Sequence, residues 1–314
     1  MKITLLCHVP LEAGYPELFE QAGFTLHYAT TPESRDTIPP ALAESVRAVL
    51  TIGTIGLTAN QMDALPNLEI VCAHGVGHEQ IDVAAAKERG IVVTNGPGTN
   101  SSSVADHTLA LMLAITRHIP QMDASVRLGK WSRAGTQVTG MFGKKLGIIG
   151  LGNIGEEIAR RCAGGFNMPV GYHNRHPLAD SQWQYFRSLH ALAEWADYLV
   201  VATPGGAATR KLVDASVLKA LGETGFLINI SRGSVVDSDA LIASLQNHHI
   251  AGAALDVIDG EPAVPEAILP LTNLVITPHI AGRSPESMHN MMSLAVKNLS
   301  AHFAGEPVLT PVRG

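Results

Sequence analysis

Cysteine, aromatic residues and long apolar runs are all scarce in this chain, and each scarcity excludes something. Of 314 residues only three are cysteine, Cys7, Cys72 and Cys162. They share no metal-like spacing, and an odd, scattered set makes no disulfide framework, which favours a reducing compartment. The longest apolar stretch, Val104 to Ile115, is interrupted by Asp106 and His107 and falls short of the ~20 residues a membrane-spanning helix needs. The opening MKITLLCHVP has one lysine and a short apolar run before Pro10; that suits a first β-strand better than a secretion signal. Positive charge is in deficit as well, with 22 Lys and Arg against 28 Asp and Glu and a net charge of −6. Such a balance is a poor basis for holding nucleic acid or anionic lipid. The expectation is a cytoplasmic protein with neither nucleic acid nor membrane as partner.

What is present is material for two cores. Hydrophobic residues make up 46% of the chain and charged ones 16%, and the length suits two domains of about 100–200 residues each. Apolar runs of strand length stand at Ile3–Leu6, Thr25–Tyr28, Ala48–Ile52, Ile70–Ala73 and Ile91–Thr94. Helical stretches lie between them, such as Ile81–Arg89 with Gly90 as its stop. The segment GPGTNSSS, Gly96 to Ser103, is the hinge candidate, and its serines offer N-caps. A single long helix is expected after it, over 104–128. It is so widely apolar that another domain or subunit should cover it. The alternation then resumes, with strands expected at 146–149, 170–172, 199–202, 226–230, 251–255 and 274–277. Helices are expected at 154–162, 189–195, 215–221 and 239–246, and again over the tail, 287–303. Strand and helix in repetition predict an α/β protein of two doubly wound parallel-sheet domains. The expected domains are residues 1–100 with 284–314, and residues 101–283.

One segment carries a specific signal. Lys145-Leu-Gly-Ile-Ile-Gly-Leu-Gly-Asn-Ile-Gly155 sets an apolar strand directly before Gly150, Gly152 and Gly155, with a helix directly after. The first glycine permits a tight turn, the second lets backbone approach a pyrophosphate, and the third lets helix pack on strand. The amides of Asn153 and Ile154 would then face the phosphates. A glycine-rich turn without a ligand is the plainer alternative. At the end of the next strand an NAD site would place an acid on the ribose hydroxyls. Here His173, Asn174 and Arg175 follow one another instead. An arginine can pair with a 2′-phosphate, so NADP (NADPH) is expected in preference to NAD, unless Arg175 is merely a solvated cation.

Three polar residues follow strands of the second half: Arg232 in Ile-Ser-Arg-Gly, Glu261 in Asp-Gly-Glu-Pro, and His279 in Thr-Pro-His-Ile. In an open parallel sheet, ligands bind beyond the carboxyl ends of the strands. Arginine grips a carboxylate as a fork, histidine can protonate a developing alkoxide, and a carboxylate beside it orients the ring. That set suits reduction of an α-keto acid.

With these residues the chain resembles the NAD(P)-dependent D-2-hydroxyacid dehydrogenases of the D-isomer-specific family, the bacterial glyoxylate/hydroxypyruvate reductases above all. The likeness runs through Gly75-Val-Gly77 with Asp82, Val104 to Ala110, the glycine motif, Ser231-Arg-Gly233, Asp256 to Pro262, and Pro278-His279. It implies a flavodoxin-like substrate domain and a Rossmann dinucleotide-binding domain. It implies that Arg232 binds substrate, that Glu261 and His279 form the acid–base pair, and that Val76 and Gly77 hold the substrate carboxylate. To the cofactor it assigns Thr108, Gly150, Gly152, Asn153, Ile154, Gly155, Asn174, Arg175, Thr203, Pro204, Thr209, Ile230, Ser231, Arg232, Asp256, His279 and Gly282. It further implies a homodimer built on the helix after residue 103. The implied reaction reduces glyoxylate or hydroxypyruvate with NADPH to the D-2-hydroxy acid; a larger 2-keto acid or 3-phosphoglycerate is the alternative.

Two segments depart from the family pattern. Thr203-Pro-Gly-Gly206 replaces a more usual Pro-Leu-Thr, and Ala281-Gly-Arg-Ser284 replaces Gly-Ser-Ala. Both bear on the choice of substrate, as do Ile52, Ile55, His74 and Arg283. The chain stops soon after its last helix, which speaks against the regulated phosphoglycerate dehydrogenases. Glu261 speaks against a formate dehydrogenase, where glutamine stands. A corepressor of the same fold would carry the same three polar residues, and turnover would separate it. His74, His78, His107 and His173 are expected to be loop or helix histidines. Trp131 suits either the mouth of the site or a dimer contact, Met288, Met291 and Met292 suit a core, and no metal site is expected.

Overall fold

The computed structural model describes residues 2–131 and 138–312. They form two compact units, residues 1–100 with 283–314 and residues 101–282. In the first, β1 (Ile3–Cys7), α1 (Tyr15–Gln21), β2 (Phe24–Tyr28), α2 (Pro32–Asp36), α3 (Pro40–Ala43), β3 (Val46–Thr51), α4 (Ala59–Asp63), β4 (Ile70–Ala73), α5 (Val83–Glu88) and β5 (Val92–Thr94) follow in turn. All strand pairs are parallel and the order is β2-β1-β3-β4-β5, so the winding reverses between β1 and β3. The period of two sends alternate side chains to opposite faces. Leu5 and Cys7 join Phe19, Phe24 and Met292 on one face, whereas Leu6 joins Val49, Met62 and Leu65 on the other.

The second unit holds α6 (Ser101–Thr116), α7 (Ile119–Arg127), β6 (Leu146–Ile149), α8 (Asn153–Phe166), β7 (Val170–His173), β8 (Gln184–Tyr185), α9 (Leu189–Trp195), β9 (Tyr198–Val201), α10 (Ala215–Leu221), β10 (Phe226–Asn229), α11 (Ser238–Gln246), β11 (Gly252–Leu255) and β12 (Leu274–Ile276). Its parallel strands run β12-β11-β10-β9-β6-β7-β8, with the reversal between β6 and β9. Ser188, Asp214 and Asp237 cap α9, α10 and α11 by accepting first-turn amides, each typically worth ~1 kcal/mol. The last helix, α12 (Pro285–Phe303), belongs to the first unit. It packs on β4 and α1, with Met288, Met291, Met292 and Leu299 in that unit's core.

One expectation fails in a definite way. Residues 104–128 are not one helix. α6 ends at Thr116, His118 takes φ +52°, and Pro120 stands in the first turn of α7. A proline within the helix would have lost a hydrogen bond and clashed with the Thr116 carbonyl. The serines also lie inside α6 rather than before it. Val104, Ala105, Leu111, Met112 and Ile115 of α6 are buried in the second unit's own core, against α8 and β10 to β12. The large exposed apolar side chains of this segment are Ile119, Met122 and Val126 of α7 and Leu128 just past it. The two-residue β8 also escapes the sequence pattern, being too short to show a period. Among the described residues no helix is long and apolar enough to cross a membrane.

Candidate active site

The glycine turn joins β6 to α8 at the point where the strand order reverses. Gly150 has φ +95°, and a Cβ on it would lie 2.7 Å from the Thr203 backbone in the loop after β9. A Cβ on Gly155 would lie 2.6 Å from the Gly150 carbonyl oxygen. Both are therefore required by the fold itself. Gly152 differs: a Cβ there would meet nothing within 4 Å. It is the N-cap of α8, and no side chain caps that end, so first-turn amides stay available beside open room. A dinucleotide pyrophosphate fits that cradle. Asn153 beside it is exposed and Ile154 half-buried.

Asn174 holds the turn itself. Its Oδ1 accepts from the Leu151 amide at 2.7 Å, and its Nδ2 donates to the Leu151 carbonyl at 3.3 Å. That makes it a brace for the glycine loop, with one amide hydrogen to spare. His173 bonds the Phe186 carbonyl through Nδ1 at 2.9 Å. Arg175 is exposed and makes no ion pair or hydrogen bond among the described residues. Across the switch point the Thr209 hydroxyl donates to the Pro204 and Gly206 carbonyls, at 2.8 and 3.3 Å, and closes the loop that begins at Thr203. Thr108, also expected at the cofactor, is wholly buried, and its hydroxyl donates to the Val104 carbonyl of its own helix.

Arg232, Glu261 and His279 follow β10, β11 and β12, which are neighbours in the sheet. The carboxyl ends of adjacent parallel strands face one side, so the three come from one edge. Arg232 is set by its surroundings. Buried Asn229 accepts from the Ser231 amide at 3.1 Å and donates to the Arg232 carbonyl at 3.0 Å. The Arg232 amide donates to Ser231 Oγ at 2.6 Å, and one guanidinium nitrogen donates to the Ser231 carbonyl at 2.7 Å. Ile230 and Ser231 are themselves buried. Beneath the arginine lies Gly205, where a Cβ would stand 2.7 Å from Arg232 Cγ. The first glycine of this unusual Gly-Gly thus leaves room for the arginine stem.

His279 Nδ1 lies 2.8 Å from Glu261 Oε2. A carboxylate only accepts, so Nδ1 carries the hydrogen and Nε2 remains for other work. His279 holds φ +54°, a left-handed conformation costly for a residue with a Cβ. Its amide donates to the Asp256 carbonyl at 2.8 Å. Asp256, 2% exposed, accepts from the Ile280 amide at 3.0 Å and the Ala281 amide at 2.9 Å. Asp256, expected at the cofactor, therefore binds the turn that carries the histidine, and Gly282 follows that turn half-buried.

In the first unit the Val76 carbonyl accepts from the Asn95 side chain at 2.7 Å, which fixes the loop of Val76 and Gly77. Burial pushes His74 down to about 4, and the positive charge of Arg283 adds to this. Arg283 pairs with Glu12, and Trp131 is exposed. Sequence reasoning passed over Asn229, Asn95 and Gly205. A polar residue closing the apolar strand Phe-Leu-Ile-Asn was the available signal for the first, and the unusual Thr203-Pro-Gly-Gly206 segment for Gly205; Asn95 had none.

A switch-point glycine loop and an Arg, Glu and His at neighbouring strand ends define a nicotinamide-dinucleotide oxidoreductase. The family model for the D-isomer specific 2-hydroxyacid dehydrogenase NAD-binding domain matches residues 109–281, and the chain belongs to that family. It is 41% identical over 311 residues to glyoxylate/hydroxypyruvate reductase A of Arabidopsis thaliana, covering 99% of each chain. It is 41% identical over 312 residues to the 2-ketogluconate reductase of Gluconobacter oxydans, again covering 99% of each. Among solved structures, the NADPH-dependent glyoxylate/hydroxypyruvate reductase of Sinorhizobium meliloti in complex with NADP and malonate superposes with a TM-score of 0.91. The two are 38% identical, and the match covers 99% of this chain and 97% of that one.

Proposed function

We propose that the protein reduces a small 2-keto acid, glyoxylate or hydroxypyruvate, to the D-2-hydroxy acid with NADPH. The observation that carries this reading is the 2.8 Å bond from His279 Nδ1 to Glu261 Oε2. When bound, the reduced nicotinamide supplies the hydride that adds to the keto carbon. Glu261 orients the imidazole and supports its positive charge, and Nε2 hands its proton to the carbonyl oxygen as that oxygen becomes an alkoxide. Arg232 holds the substrate carboxylate with a planar fork. Gly150, Gly152, Asn153, Ile154 and Gly155 hold the pyrophosphate, and exposed Arg175 reads the 2′-phosphate. The Sinorhizobium relative, NADPH-dependent by name, supports that preference. The apolar residues exposed on α7 support a homodimer.

The 2-ketogluconate reductase relative favours a second reading, a larger 2-keto acid at the same site. Initial rates with glyoxylate, hydroxypyruvate, pyruvate, phenylpyruvate and 2-ketogluconate, each with NADPH and NADH, decide between them. The expected result is the highest kcat/KM for glyoxylate or hydroxypyruvate with NADPH. His279→Ala should lose roughly 10²–10⁴-fold in kcat while NADPH still binds. No keto-acid-dependent oxidation of either cofactor, or a His279→Ala variant with near-normal kcat, would refute the reading.

A further inference from the structure

We propose that His107 is a positioning residue for His279, acting through Thr277 and Asp256; this deepens the reading above, and its kinetic arm rests on it. His279 keeps its left-handed backbone because Asp256 holds the turn at three points, the His279, Ile280 and Ala281 amides. Asp256 Oδ1 also accepts from the Thr277 hydroxyl at 2.6 Å. That hydroxyl has one hydrogen, and the carboxylate takes it. At the 2.9 Å contact between Thr277 Oγ1 and His107 Nε2, the hydroxyl must therefore accept, and Nε2 must carry the hydrogen. His107 Nε2 also lies 3.5 Å from Asp256 Oδ1. The donors run from His107 to Thr277 to Asp256, and the same carboxylate accepts from the backbone amides of the catalytic turn.

Ser103 adds a second hold from the same helix. It stands four residues before His107 on α6, on the same face, and its hydroxyl donates to the Ala281 carbonyl at 2.7 Å. Helix α6 thus touches the 277–281 turn at its start and its end. Without the His107 N–H, the Thr277 hydroxyl and the Asp256 carboxylate lose a fixed rotation, and His279 loses its aim. A small misplacement of a proton donor lowers kcat more than it alters binding.

The test compares His107→Leu, which removes the N–H, with His107→Gln, whose amide can present one near the same place. His107→Leu should lower kcat about tenfold, the usual scale for one lost hydrogen bond, with the keto-acid KM within about twofold. His107→Gln should recover most of that loss. Thr277→Val cuts the chain at its next link and should give the same pattern even if His107→Leu folds poorly, and the double variant should lose little more than either single one. Hydrogen exchange of the peptide spanning 277–283 should quicken in His107→Leu and Thr277→Val and stay slow in His107→Gln, whether or not any keto acid turns over. Unchanged kcat and exchange in both His107→Leu and Thr277→Val would overturn the proposal, as would His107→Gln behaving like His107→Leu. If the wild-type protein reduces no keto acid, the functional reading falls, and the exchange measurement still decides the role of His107.

Discussion

Acid should destabilise the first unit through one histidine, and the size of the effect can be worked out. His8 stands just past β1, 1% exposed, with Nδ1 donating to the Gly56 carbonyl at 3.3 Å. The Thr51 hydroxyl donates to the same carbonyl at 3.0 Å, so the two pin the turn after β3 where the sheet reverses. Burial pushes His8 down to about 4, against a smaller opposing pull from the Gly56 bond. An unfolded histidine takes its proton near 6.5. Between those values the unfolded chain binds more protons than the folded one, so stability falls as the pH falls through that window and levels off below it. A gap of about 2.5 pH units at 1.36 kcal/mol each is roughly 3 kcal/mol, a large part of a typical 5–15 kcal/mol total. The assay is urea unfolding of the full chain, wild type against His8→Gln, at steps from pH 7 to pH 4. The advantage of the wild type should shrink by roughly 3 kcal/mol over that range, because only the wild type carries this proton linkage. A difference that stays constant, or an NMR titration of the His8 ring with a midpoint near 6.5, would refute the reasoning.

Other perturbations address the proposed site. Gly205→Ala puts a methyl 2.7 Å from Arg232 Cγ and should raise the keto-acid KM about tenfold or more while the KM for NADPH moves little; steady-state kinetics check this, and parallel changes in both would place the damage elsewhere. Arg232→Lys replaces a fork with a point charge and should also raise the keto-acid KM about tenfold; values within about twofold in KM and kcat, roughly 0.4 kcal/mol, would make the arginine structural. A charge-assisted contact from Arg175 to the 2′-phosphate would favour NADPH over NADH by roughly 10- to 150-fold in kcat/KM. Arg175→Ala should erase most of that gap by weakening NADPH and sparing NADH, and a preference left intact would show that this loop does not read the phosphate.

Much of the architecture is legible because it is written in short windows. The strand Leu146–Ile149, the turn at Gly150 and the helix after it occupy consecutive residues, and apolar period and glycine spacing are local quantities. The same holds for the strand ends that precede Arg232 and His279. Legibility stops where a local pattern meets a local exception. A run of apolar residues over 104–128 suggests one helix, yet Pro120 forces the break that His118 makes. It stops again where a residue type does not disclose its partner. Asn174 is expected at the cofactor by its position, and that its amide also braces Leu151 at both ends is not written in the local sequence.

What the sequence determined by itself is therefore the α/β class, the two parallel sheets, the glycine cradle and the side-chain chemistry at the strand ends. What only the tertiary structure decided is how those side chains are aimed. The Ser103 hydroxyl reaches Ala281 across 178 positions, and His107 reaches Thr277 across 170. Gly205 makes way for Arg232, and the left-handed turn at His279 depends on a buried carboxylate 23 positions earlier in the chain, Asp256. Periodicity reports which face of an element is apolar, and no more than that. Hydrogen bonds between residues so far apart exist only once the packed core has set the distances between elements, so they leave no spacing for a sequence to show.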